Sequence, residues 1–140
     1  EYTEGWNLVG LPLIVDDSNY QIQFPDAVEG TLYSFNGSYD PEETLIQGNG
    51  YWLRFNNAGT TTITGIPVTE LSLSLSAGWN LISGISTPVE IGAIIDPDNI
   101  IINGTIYGFD SGYVEVDELI PGEGYWVRAN NSGNIILLHD

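Results

Sequence analysis

The sequence contains no cysteine, methionine or lysine, and its 140 residues include one histidine and two arginines. Disulfide bonds and thiolate chemistry are therefore excluded, and so is a lysine–asparagine isopeptide bond. The only histidine, His139, lies next to the last residue, which is a poor position for the base of a serine triad. The sequence also lacks a zinc-ligand set and a phosphate-binding glycine loop followed by Lys-Ser or Lys-Thr. We therefore expect a protein that is not an enzyme.

Positive charge is nearly absent. Nineteen acidic residues against two arginines give a net charge of −17. Nucleic acid is excluded as a partner, because phosphate neutralisation needs a basic surface, and an anionic membrane surface is disfavoured. No apolar run approaches the length that spans a bilayer, so we expect no membrane insertion. Such acidity suits a salty or calcium-containing medium in which repulsion is screened.

Two motifs occur twice. Gly50–Arg54 (GYWLR) returns 74 residues later as Gly124–Arg128 (GYWVR), and Gly5–Leu8 (GWNL) returns 73 residues later as Gly78–Leu81. All four tryptophans and both arginines fall in these matched positions. A fixed period predicts a tandem duplication, with one β repeat in residues 1–65 and a second in 66–140. Each repeat is marginal in size for an isolated core, so we expect the two to pack together or share a strand.

The turns are rich in Gly and Asn, the strands are short, and no long helical period is present. This pattern predicts an all-β fold of two homologous β-sandwich or barrel-like repeats in tandem, with about five or six strands each. We expect a weak strand at Tyr20–Phe24, one turn of helix near Ile91–Ile95 and a strand at Thr60–Thr64. Trp6 and Trp79 are expected to face the core, while the asparagine that follows each one bonds to a neighbouring loop.

The linker segment 69–75 contains the clearest half-buried strand, because Leu71–Leu75 alternates apolar and polar residues without exception. No matching segment precedes Gly5 in the first copy, so the linker strand serves two repeats or is shared between them. One interpretation is that the chain is cut from a longer array, and the other is that a neighbouring chain supplies the missing strand. Either one predicts a sheet edge without an intrachain partner.

The candidate binding residues are Trp52 with Arg54 and Trp126 with Arg128. Alternation along the strand places each tryptophan and arginine on the face opposite the more apolar residues. A flat ring beside a cation suits a sugar or another planar ligand. Alternatively, the tryptophan covers the sheet and the arginine stacks on it and pairs with a carboxylate. Duplication preserves framework residues as readily as sites, which favours the second interpretation.

Calcium is a further candidate ligand, because two loops at roughly corresponding places carry pairs of aspartates. The candidate residues are Asp16 and Asp17 in the first loop and Asp96 and Asp98 in the second. Neither loop has the spacing of an EF-hand, and Asp and Asn commonly form turns without any metal.

The paired Gly-Trp-Asn-Leu and Gly-x-Gly-Tyr-Trp motifs, with a Tyr-x-Phe hairpin between them, resemble a repeat module of large secreted bacterial and archaeal surface proteins. The hairpins are Tyr33–Phe35 and Tyr107–Phe109. The resemblance implies an extracellular or cell-surface, non-catalytic β-rich module, whose partners are neighbouring domains or subunits of the same surface protein. We therefore expect a structural, spacer or adhesive role, with self-association by strand addition. The alternative is a carbohydrate-binding module that uses the paired Trp and Arg residues on a polysaccharide.

Overall fold

A computed structural model describes residues 1–139 of the chain and has an all-β fold, which confirms the predicted fold class. Only two short helical segments are present in the described residues, the α-helix α1 at Tyr20–Gln23 and a 3₁₀ turn at Ile91–Ala93. Neither helical segment is long enough to cross a membrane. The strands are β1 Gly5–Gly10, β2 Leu13–Ile14, β3 Tyr33–Phe35, β4 Tyr39–Pro41, β5 Gly50–Phe55, β6 Ile66–Pro67, β7 Glu70–Leu75, β8 Gly78–Ser83, β9 Val89–Glu90, β10 Tyr107–Phe109, β11 Tyr113–Glu115, β12 Glu118–Leu119, β13 Gly124–Ala129 and β14 Gly133–Leu138.

Two four-stranded antiparallel sheets dominate the fold. The first has the order β1-β5-β3-β4, and the second has the order β8-β13-β10-β11 when written from the equivalent edge. β1 pairs with β5 over all six residues, Gly5 to Phe55 through Gly10 to Gly50, and β8 pairs with β13 in the equivalent register. The two repeated motifs therefore form neighbouring strands within each half of the chain.

Three two-stranded sheets complete the fold, β2 with β6, β7 with β14, and β9 with β12. No sheet in the described residues closes on itself. β6 lies just beyond residue 65 yet pairs with β2 at Leu13 and Ile14, so the chain crosses between the halves through a short ladder rather than a free linker.

Alternation along the central strand of each sheet selects the core face. Tyr51, Leu53 and Phe55 of β5 are fully buried in the first core. Tyr125 and Val127 are buried at the matching places of β13, in the second core. This is the face that the apolar pattern predicts to be internal.

Two predicted strands are wrong. Residues 20–23 form helix α1 because the Asn19 side chain accepts a hydrogen bond from the Gln21 N–H (2.9 Å) and caps its first turn. The helix ends at Gln23, and its C-cap residue Phe24 lies with Tyr20 in the first core. Residues 60–64 form no strand, because no described segment lies beside them as a ladder partner. The 3₁₀ turn at Ile91–Ala93, by contrast, confirms the predicted helical turn.

The alternating linker segment forms β7 and pairs with β14 along its whole length, from Leu75 opposite Gly133 to Glu70 opposite Leu138. The first half has only one equivalent rung, the isolated bridge between Tyr2 and Gly59. The two halves therefore differ in this pairing, which covers six positions in the second half and one in the first.

The halves contact each other through reciprocal backbone hydrogen bonds. The Gly10 N–H donates to the Gly122 carbonyl (3.0 Å), and the Ser83 N–H donates to the Gly48 carbonyl (2.9 Å). Because each contact occurs twice with the roles exchanged, the two halves are related by an approximate two-fold axis. Glycine is required at this junction, since a Cβ on Gly50 would lie 2.5 Å from the carbonyl oxygen of Ile82.

Candidate functional site

The candidate site is on the face of the two large sheets that lies opposite the core face. This face is rich in aromatic side chains and is called the aromatic face below. In the first sheet Trp6 lies opposite Arg54, and both Leu8 and Tyr33 lie opposite Trp52. Residues directly opposite each other in a ladder share a face, so these side chains stand side by side. The second sheet repeats the arrangement at Trp79, Arg128, Leu81, Tyr107 and Trp126.

Rings from the two halves interlock at the centre of this aromatic face. Phe35 of the first half contacts Trp126 of the second with centroids 4.9 Å apart, and Trp52 contacts Phe109 with centroids 5.0 Å apart. Both pairs are close to perpendicular, the edge-to-face geometry that the aromatic quadrupole favours. The site therefore depends on both halves.

Two grooves flank the interlocked rings, and their walls are almost wholly aromatic. The first groove has a volume of about 450 Å³ and is lined by Trp6, Tyr33, Tyr39, Trp52 and Phe109. The second groove has a volume of about 440 Å³ and is lined by Phe35, Tyr39, Trp79, Tyr107, Tyr113 and Trp126. Tyr39 lines both, so the two grooves are adjacent. None of the carboxylates in residues 1–139 lines either groove, although the protein is strongly acidic.

The predicted positions of the tryptophans are partly wrong. Trp6 is 40% exposed and Trp79 is 43% exposed, so neither belongs to the core. The reason is that both tryptophans lie on the aromatic face and not on the core face, where they stand opposite the exposed Arg54 and Arg128 in the ladders. The predicted role of the following asparagines is confirmed, since Asn7 and Asn80 donate from Nδ2 to the backbone of the preceding loop (2.8 and 2.9 Å).

The sequence-predicted site residues occupy two different environments. Trp126 is only 8% exposed and Trp52 is half-buried, so both form the floor of the grooves rather than a free platform. The Trp126 Nε1 has no hydrogen-bond partner among the described residues and is itself inaccessible. A ligand would therefore meet the ring and not its N–H group. Arg54 and Arg128 are exposed and lie across the ladder from the exposed Trp6 and Trp79.

The tyrosines beneath the aromatic face are structural. Tyr51 Oη accepts from the Ile46 N–H (2.9 Å), and Tyr125 Oη accepts from the Ile120 N–H (2.8 Å). Burial raises the pKa of both phenols above the ordinary value of 10.0. Each phenol is therefore neutral at physiological pH and anchors the loop that leads into the central strand.

The aspartate loops show turn geometry. Asp17 Oδ1 accepts from the Asn19 N–H (3.0 Å). Asp96 uses both carboxylate oxygens, which accept from the Ile100 and Ile101 N–H groups at 3.0 and 2.9 Å. Within residues 1–139 no three His, Cys, Asp or Glu side chains come together as a metal site. The calcium prediction for Asp16, Asp17, Asp96 and Asp98 stays a prediction.

Neither the family models nor the curated proteins and solved structures with which the chain was compared give a match. We therefore infer function from the residues of the aromatic face.

Proposed function

We propose that this chain is a non-catalytic adhesive module of an extracellular surface protein, and that it binds neutral polysaccharide in the two aromatic grooves. In this proposal the halves 1–65 and 66–140 are homologous β-sandwich repeats. The structural role predicted from sequence is retained, with neighbouring domains or subunits of the same surface protein as partners.

The observation that carries the proposal is the pair of adjacent grooves walled by tryptophan and tyrosine. A contiguous apolar surface of this kind marks an interaction site. The C–H face of a pyranose ring is apolar, and the electron-rich face of an aromatic ring attracts it. Tyrosine hydroxyls at the rim supply hydrogen bonds to sugar hydroxyls.

Two equivalent grooves favour a repeating ligand. A polymer presents the same sugar many times, so one polysaccharide molecule can occupy both grooves at once. Its binding in the second groove is then an intramolecular step. A net charge of −17 repels polyanions. Neutral glucans, mannans and chitin-type polymers are therefore better candidates than acidic polysaccharides.

Affinity electrophoresis through gels that contain soluble neutral polysaccharides tests the proposal. We expect the wild-type chain to be retarded on at least one polymer, and Trp6→Ala with Trp79→Ala to abolish the retardation. Ile66→Ala is the matched control, because Ile66 is an exposed apolar residue (65%) that lines neither groove. Runs with calcium and with a chelator separate any contribution of the aspartate loops.

Retardation that survives the double tryptophan variant would show that the grooves are not the binding site. If the protein migrates as a folded species in a gel without polysaccharide and is retarded by no polymer, only the structural part of the proposal would remain.

A further inference from the structure

The two aromatic grooves match each other closely in geometry. In the first groove the Trp6 ring is perpendicular to the Trp52 ring (87°), with centroids 6.4 Å apart. Trp79 and Trp126 repeat this arrangement in the second groove, at 88° and 6.4 Å. The edge-to-face contacts between the halves are matched in the same way, at interplanar angles of 79° and 77°. The approximate two-fold axis therefore exchanges one groove with the other.

The direction of a bound polysaccharide is reversed between the two grooves. A polysaccharide runs from a non-reducing to a reducing end, and a two-fold axis that exchanges the grooves reverses the line that joins them. One polysaccharide molecule in both grooves therefore meets the second groove in the opposite sense to the first. Hydrogen bonds to particular sugar hydroxyls are directional and cannot be the same in both senses, whereas the face of a sugar can contact an aromatic ring in either sense.

The side chains that line the grooves also suit the faces of sugar rings. Within residues 1–139, no Asp, Glu, Asn, Gln or Arg lines either groove, and these are the side chains that can bind two neighbouring hydroxyls at once. The Trp126 Nε1 is inaccessible. The tyrosine hydroxyls are at the ends of their rings, so a sugar hydroxyl directed at the face of a ring finds no partner there. Burial of a hydroxyl without a hydrogen-bond partner is unfavourable.

Pyranose sugars differ in what their two faces present to a ring. A sugar whose hydroxyls and linkages are all equatorial has only axial C–H groups on both faces, and β-1,4-linked glucose and N-acetylglucosamine are of this kind. Successive units of such a polymer are turned over, so a groove can meet either face. Mannose carries an axial hydroxyl at C2, and α-1,4-linked glucose carries an axial linkage oxygen at C1. Each of these puts a polar atom on one face, where the aromatic walls cannot pair with it.

We propose, on the basis of the polysaccharide binding proposed above, that the grooves select β-1,4-linked glycans whose substituents are all equatorial, the glucan and chitin types. Trp6 and Trp79, which are 40% and 43% exposed, supply the most accessible rings. Polymers with an axial hydroxyl or an axial linkage bind more weakly. Because the selection depends on the sugar faces and not on chain direction, it applies to internal segments of the polymer.

Isothermal titration calorimetry with hexasaccharides of β-1,4-linked glucose and β-1,4-linked mannose is the direct test, because these two ligands differ only in the configuration at C2. We expect the glucose hexasaccharide to bind at least about tenfold more tightly. The N-acetylglucosamine hexasaccharide should share this advantage over mannose, and α-1,4-linked glucose should show the same disadvantage as mannose. Trp6→Ala with Trp79→Ala should abolish binding, whereas Ile66→Ala, which lies outside both grooves, should leave the preference unchanged.

The outcomes distinguish a failure of this inference from a failure of the proposed function. Equal or tighter binding of the mannose hexasaccharide, or of the α-linked one, would overturn the selectivity and leave polysaccharide binding in place. A preference for β-linked glucose that survives the double tryptophan variant would locate the selection elsewhere on the protein and would also overturn it. Absence of binding by all four hexasaccharides would contradict the proposed function, and this inference with it.

Discussion

Trp79→Ala and Trp126→Ala should lower the free energy of unfolding by different amounts, because the two rings differ in burial. The two residues lie on the β8–β13 ladder, two positions apart. Trp79 is 43% exposed and Trp126 is 8% exposed. That difference amounts to about 70 Å² of a tryptophan surface of about 200 Å². At about 25 cal/mol per Å² it corresponds to about 2 kcal/mol.

Truncation of a fully buried tryptophan typically costs about 3–5 kcal/mol. We therefore expect Trp126→Ala to lower the free energy of unfolding by that amount, and Trp79→Ala to lower it by about 2 kcal/mol less. Urea unfolding followed by far-UV circular dichroism measures both values. The Phe35 contact adds to the cost at Trp126, since its ring lies 4.9 Å from the Trp126 ring.

Equal costs for the two substitutions would contradict this prediction. They would mean that Trp79 is held in the folded core, and hence that it is not available to a ligand. A larger cost at Trp79 would refute it more strongly.

Three further predictions concern the junction, the glycines and the buried phenols. A double-mutant cycle of Trp52→Ala and Phe109→Ala should give a coupling of about 0.5–1.5 kcal/mol in the free energy of unfolding by urea, because the two rings contact each other across the halves. A coupling of zero would mean that this contact does not stabilise the junction. Gly50→Ala should cost about 1–3 kcal/mol, because its Cβ would lie 2.5 Å from a backbone oxygen of the second half, whereas Gly92→Ala, with open space around it, should change stability by less than about 0.5 kcal/mol. Burial raises the folded-state pKa of Tyr125 above 10.0, so above pH 10 its phenol ionises in the unfolded chain before it does so in the folded protein. The stability that Tyr125 provides is therefore complete below pH 10 and is lost as the pH rises further, at up to about 1.4 kcal/mol per pH unit. Tyr125→Phe should show a shallower fall of the free energy of unfolding above pH 10, and an unchanged slope would contradict this.

The sequence was sufficient to predict the all-β class and the internal face of the central strands. Strict alternation in β5 separates Tyr51, Leu53 and Phe55 from Trp52 and Arg54, and the structure places the first set in the core. Alternation between the two faces follows from the geometry of a single strand, so it can be read from the sequence without knowledge of the neighbouring strands. The same reason explains why β7 was recognised from its leucines.

Helix α1 was missed because its signal is a single capping side chain. Tyr20–Phe24 alternates weakly, as a strand would, and only Asn19 before it indicates a helix start. A four-residue helix has no second turn in which a 3.6-residue period could appear.

The exposure of Trp6 and Trp79 is not predicted by the sequence, because the Gly-Trp-Asn-Leu motif does not show which face of the strand packs on the core. The ladders decide this, since Trp6 and Trp79 lie opposite Arg54 and Arg128, on the face away from the core. The grooves depend still more on tertiary structure, since each combines rings from both halves. Sequence therefore identified Trp52 and Trp126 as notable residues without predicting that Trp6 and Trp79 are the more accessible rings.

If the aromatic grooves bind neutral polysaccharide, the ligand should perturb the indole N–H signals of the groove tryptophans in a two-dimensional NMR spectrum. The chain has four tryptophans, and single substitutions assign their signals. Hexasaccharides of β-1,4-linked glucose, mannose and N-acetylglucosamine are the probes. We expect one of these probes to shift the Trp6 and Trp79 signals with a common binding curve, since the two grooves are equivalent. Four unmoved signals with all three probes, or shifts that leave Trp6 and Trp79 unaffected, would contradict it.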